Sequence, residues 1–222
     1  MQNKAIWDRL SALGGVLFVV FFVVGVLLPG SPPTVDDSSS TVVSFFADNR
    51  GPVLVGTFLI GLGVLAMIWF VSSLVEAMRR ADEGRLATAA LIGFLLGFAA
   101  ATVAALARAS LAFSVAEIVE PDEVRALFHL TLVMDAMGSL LFAAFAVAVG
   151  GAAIRTGFLP SAWGWVSLVF GLLLVVGATA WSRDGFWSPG GGVIWVVNVA
   201  FVVYVVVTSV LHFREVSRAT AS

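Results

Sequence analysis

An all-α, polytopic membrane bundle of six transmembrane helices is the fold this sequence predicts, on three observations. Of its 222 residues, 60% are hydrophobic and 12% charged, against about 45–50% and 25% in soluble domains. The mean hydropathy is +1.04. Apolar runs of the length a bilayer needs, about 20 residues for ~30 Å of hydrocarbon, recur at about 10–28, 53–75, 86–113, 130–154, 162–181 and 191–211. Most connections are short, so the expectation is a single membrane domain over 1–222.

Composition also removes several function classes. A formal charge of −2, with no like-charge run beyond Arg79-Arg80, excludes a nucleic-acid partner. Zero cysteines exclude disulfides, thiolate metal sites, thiol nucleophiles and iron–sulfur ligation. Lys4 is the one lysine beside eleven arginines, a bias that suggests a GC-rich bacterial source.

The first run follows MQNKAIWDR. It is longer than the 7–15 residues of a signal-peptide core and no A-x-A site follows, so it reads as a permanent span. The Lys/Arg distribution sets the orientation. With the N-terminus inside, Lys4, Arg9, Arg79, Arg80, Arg85, Arg155, Arg214 and Arg218 are inner and Arg50, Arg125 and Arg183 outer, with Arg108 left over. Both termini are therefore expected to be cytoplasmic. Trp7, Trp69, Trp163 and Trp165 near inner span ends, and Trp181, Trp187 and Trp195 near outer ones, read as aromatic belts.

The longest connection, the outer loop 29–52, reads PGSPPTVDDSSSTVVSFFADNRGP. Asp36 to Ser40 offer N-cap residues ahead of Val42, Val43, Phe45 and Phe46, which form one apolar stripe. A short interfacial helix is expected, lying on the outer leaflet or over the bundle, the alternative being a disordered Ser-rich loop.

The third run carries Gly93, Gly97, Ala101 and Ala105 at four-residue spacing, a small-residue face suited to close helix packing. Two ionisable groups interrupt the third and fourth runs: Arg108, and Asp135 within LFHLTLVMDAMG. Intramembrane charges cost about 2.5–3.5 kcal/mol at a helix centre on insertion scales and are functional suspects. Counting from Arg85 and Arg155 puts both about 30–35 Å from the inner edge, at the outer interface. Glu120-Pro121-Asp122-Glu123 marks a helix start. Arg108 lies 13 residues before Pro121 and Asp135 14 after it, so the two are expected to lie level in an antiparallel hairpin. Thr131, Asp135 and Ser139 share a stripe, and Asn198 on the last span is at comparable depth. Together these five residues make a candidate polar cluster. Asp135 then pairs with Arg108 to lock the hairpin, takes a binding or proton-transfer role, or rests at the interface unpartnered.

Catalytic chemistry is not expected. His129, near Glu123 and Arg125 at the outer interface, and His212, at the inner one, stand too far apart in depth to hold a haem. Ser139 lies ten residues from His129 along one helix, about 15 Å, too far for a Ser–His contact. The glycine-rich SPGGGVIW lacks the Lys and Ser/Thr of a P-loop and reads as an outer turn. No cofactor and no metal site is expected.

Three segments together, SSSTVVSFFADNRGPV, WFVSSLVEAMRR and RTGFLPSAWGWVSLVFGLLLVVG, resemble a family of six-helix integral membrane proteins of GC-rich Gram-positive bacteria, a domain of unknown function. The resemblance covers nearly the whole chain. It implies the topology and a multi-pass place in the bacterial plasma (inner) membrane, and carries no activity.

The functional expectation is a non-catalytic membrane protein that binds a partner membrane protein or an apolar ligand. The alternative is a small-solute or proton-coupled transporter using Asp135. For it, ALGGVLFVVFFV from Ala12 aligns with AMGSLLFAAFAV from Ala136, as two inverted three-helix halves would require. Against it, all seven prolines lie at or outside span ends, with no proline-broken mid-membrane helix.

Overall fold

A computed structural model describes residues 2–219, with side chains for 7 and 9–218; Lys4 of the charge count lies outside the described side chains. Eight α-helices occur among the described residues: α1 (Gln2–Leu27), α2 (Ser39–Asp48), α3 (Arg50–Arg80), α4 (Gly84–Ser110), α5 (Ala116–Ile118), α6 (Pro121–Thr156), α7 (Ser161–Gly177) and α8 (Gly192–Ala219). A π-helical turn, Leu111–Val115, joins α4 to α5. Within α1, α3, α6 and α8, and along the continuous run Gly84–Ile118, the helix is long and apolar enough to cross a membrane. The sixth apolar helix, α7, has 17 residues, about 26 Å at 1.5 Å per residue. It stops at Gly177 rather than near 181 because Ala178–Ala180 turn back on the helix end, the Thr179 and Ala180 amides donating to Val176 and Gly177 at 3.0 and 3.1 Å.

Local chemistry accounts for the helix ends. Pro121 opens α6 with Asp122 and Glu123 in its first turn, where a proline loses no hydrogen bond and acids oppose the helix dipole. Gly157, at φ 70°, closes it, a left-handed conformation that glycine adopts without strain. Glu83 in the α3–α4 turn is buried and meets Arg155 Nε at 2.5 Å, tying that turn to the end of α6.

The six long helices form a ring in chain order. α1 packs on α3, α3 on α4, α4 on α6, α6 on α7, α7 on α8, and α8 closes onto α1. Glycines set the tightest contacts: a methyl group on Gly25 would lie 2.6 Å from the Gly56 carbonyl oxygen, and one on Gly150 2.7 Å from that of Gly164. Backbones in such contact gain dispersion that larger side chains would prevent. Outward the ring presents apolar side chains such as Phe58, Trp69, Val169 and Val199, far more exposed apolar surface than a protein in water carries. Six tryptophans are exposed, but Trp163 turns inward, stacks on Tyr204 and donates to Thr208 Oγ1 at 3.0 Å, so it leaves the expected belt because its indole N–H finds a partner inside.

Filling the centre of a six-helix ring takes large side chains. In the half nearer the α3–α4 turn, called inner from here on as a label for that end of the bundle, Met67, Phe70, Leu74, Met78 and Val149 do so. A second apolar cluster lies at the outer end, where Val42 and Phe46 of α2 are buried against Leu111, Val124 and Phe128. Ser38 caps α2 by accepting from the Thr41 amide, and Ser39 donates to Asp122 at 2.5 Å. The apolar face of α2 is thus covered by protein, on the π turn, α5 and the outer end of α6.

Candidate functional site

Between the two apolar clusters the ring is not filled. A cavity of about 320 Å³ lies among α1, α3, α4, α6, α7 and α8, within the size range of small-molecule sites. Its inner wall is a layer of phenylalanines, Phe18 and Phe22 of α1, Phe98 of α4, Phe142 of α6 and Phe201 of α8. Their ring centroids lie 5.2 to 5.9 Å apart for the pairs Phe142–Phe201, Phe18–Phe98 and Phe18–Phe201, the spacing of edge-to-face contacts. The outer wall carries the polar groups.

Arg108 and Asp135 form an ion pair there, and Arg108 Nε also donates to Thr131 Oγ1 at 3.1 Å. The pair arises by a route different from the one the sequence predicts. Gly97 lies against Gly138 and Phe142, and Gly93 against Ala144 and Phe145. Carried outward, that register sets Arg108 level with His129, six residues or about 9 Å outward of Asp135. Counting from Pro121 misplaces the pair because the chain stays helical through the π turn to Ile118, which moves the centre of the hairpin to 118–119. The long arginine side chain closes the gap. It reaches inward along α6, past Thr131, to the carboxylate one turn deeper, opposite to the outward snorkelling usual for a lone arginine.

Of the Arg108 and Asp135 side chains, 31% and 36% remain accessible, and both line the cavity. Ser139 lines it too, its hydroxyl donating to the Asp135 carbonyl at 3.1 Å. Asn198 faces the same space from α8 without a hydrogen bond to any described residue. Thr131 is fully buried behind the pair. Arg108, Thr131, Asp135 and Ser139 of the expected cluster are thus joined by hydrogen bonds, while Asn198 borders the same cavity from α8.

On the small-residue stripe, Gly93 and Gly97 meet α6 closely and Ala101 still lies beside Gly138 of that helix, but Gly97, Ala101 and Ala105 also border the cavity, so the outer half of the face serves both packing and the cavity. Gly138 is the packing residue the sequence reading missed, together with the cavity-lining Thr57 and Thr102. The phenylalanines at i, i+4 spacing, Phe18 with Phe22 and Phe94 with Phe98, were the available signal for an aromatic layer.

The two histidines stay apart. His129 lies beside Phe128, with its Nε2 buried and without a hydrogen bond. His212 is buried at the inner end, its Nε2 2.8 Å from Ser73 Oγ. Comparison with protein-family models, curated proteins and solved structures gives no match.

Proposed function

We propose that the chain is a non-catalytic protein of a bacterial plasma membrane, crossing it six times with both termini cytoplasmic, and that it binds an apolar ligand in the central cavity. The observation that carries this reading is the one-sided shape of the cavity. It touches Asp135 but ends on the phenylalanine layer, with a filled inner half beneath. A transport path would continue to the inner face, and a catalytic centre would place a nucleophile or base against the void without tying up the carboxylate. Mostly apolar walls with a few convergent polar groups are those of a ligand site.

Filling the cavity tests the reading. Ala101→Trp points an indole into open space, so it keeps the melting temperature in detergent. Native mass spectrometry of wild-type protein from mild detergent is expected to show an adduct of a few hundred daltons, the size a cavity of this class holds, and the variant to lose it. An adduct on both proteins, or on neither, contradicts the proposal.

The orientation has its own test, supported by the eight-to-three excess of inner over outer Lys and Arg. Single cysteines replacing the exposed residues Ser40 and Asp184 are expected to react with an impermeant thiol reagent in intact cells, and one replacing Thr156 is not. Labelling at Thr156 in sealed cells reverses the topology.

A further inference from the structure

The cavity has a side opening. α3 and α4 are joined at the inner end by the turn Ala81–Glu83 and held near the outer end where Arg50 sits 5.5 Å from the Phe113 ring centroid. Between these ties the seam loosens. Gly61 of α3 and Thr102 and Leu106 of α4 line the cavity and are also exposed, and a methyl group on Gly61 would meet nothing within 4 Å. Counted from the turn, Gly61 and Thr102 lie at the same height on the two helices, and both border the cavity. Outward of them the α2 cluster covers the π turn, α5 and the end of α6, and inward the phenylalanine layer closes the path.

The polar lining is electrically balanced. Arg108 and Asp135 are the charged residues among those bordering the cavity, and they neutralise each other. A ligand charge would enter apolar surroundings without a counterion, at high desolvation cost. By contrast, Thr57, Thr102 and Asn198 carry hydroxyl and amide groups with no hydrogen bond to described residues, able both to donate and to accept. The volume, about 320 Å³, is at the lower end of the roughly 300–1,000 Å³ of small-molecule sites, which suits one short chain rather than two.

Resting on the binding reading above, we propose that the ligand is a single-chain amphiphile with an uncharged, oxygen-bearing head. It is admitted sideways from the outer leaflet through the window between α3 and α4. The chain lies on the phenylalanine layer and the head meets Thr57, Thr102 and Asn198.

The test uses the full chain in phosphatidylcholine vesicles doped with one of three photoreactive alkyl-diazirine probes of equal chain length: a monoacylglycerol, a fatty acid and an alkylammonium. The neutral probe is expected to label peptides containing Phe98 and Phe201 about tenfold more than either charged probe, the ratio that 1.4 kcal/mol of preference gives. Gly61→Trp is expected to cut that labelling severalfold at unchanged melting temperature. Gly51→Trp, at another open glycine beyond the window, is expected to leave it unchanged. Leu106→Trp narrows the window from the other helix and is expected to repeat the loss should Gly61→Trp misfold. Equal labelling by all three probes overturns the uncharged head and leaves the binding reading standing. Labelling indifferent to both window variants overturns the sideways path. No cavity labelling by any probe, with no adduct on the wild-type protein, overturns the binding reading itself.

Discussion

Replacing Gly56 by valine is expected to destabilise the protein by about 3 kcal/mol, the upper part of the range for overpacking a rigid contact. A side chain at Gly56 collides with the Gly25 carbonyl oxygen. That atom belongs to backbone, so no rotamer change relieves the clash and α1 must move off α3. The shift would spread, because α1 also closes the ring against α8. Gly61→Val on the same helix is the control, with nothing within 4 Å of the new methyl groups' attachment point. It is expected to change stability by no more than about 0.5 kcal/mol. Thermal or denaturant unfolding in one detergent, measured for both variants, checks the difference; equal losses would show that glycine contacts do not set the helix spacing.

The Arg108–Asp135 pair is expected to show strong coupling. Exposed pairs contribute up to about 1 kcal/mol and breaking a fully buried pair costs about 3–5 kcal/mol. These side chains are about one third accessible, which places each single loss, Asp135→Asn or Arg108→Gln, near 2 kcal/mol. Either change leaves the other group facing apolar walls without its partner. The double variant removes both charges and is expected to lose clearly less than the sum of the two. Thr131→Val adds a discriminating point, since Arg108 Nε donates to its hydroxyl: it is expected to weaken Arg108 far less than loss of the carboxylate does. Strict additivity in the Arg108–Asp135 cycle would mean that the ion pair holds nothing in place.

Some of this architecture is legible in the sequence and some is not, for definite physical reasons. Apolar runs reveal helices because each span must satisfy its own backbone hydrogen bonds in lipid, and Pro121 and Gly157 mark the ends of α6 by their backbone preferences. Arg108 and Asp135 stand out as suspects because charges in such runs are costly. Their relative height was not legible. It depends on whether the chain before Pro121 is turn or helix, and the π turn at Leu111–Val115 has no pattern that announces it. The cavity was hidden for a related reason. Ala101 and Ala105 carry the same small-residue signal as Gly93 and Gly97, and whether a small face meets a helix or a void is decided by the crossing of helices distant in sequence. Thr57 and Thr102 lie 45 residues apart in the sequence and come to border one cavity only because the ring sets α3 and α4 side by side.

The most direct measurement is an experimental density map of the wild-type protein purified in lipid nanodiscs, at a resolution that shows side chains. The account expects elongated density lying against Phe98, Phe142 and Phe201, with its polar end near Asn198 and Thr57, and no water-filled passage through the phenylalanine layer. A cavity collapsed onto its own side chains, or a channel running from Asp135 through that layer to the inner face, would contradict it.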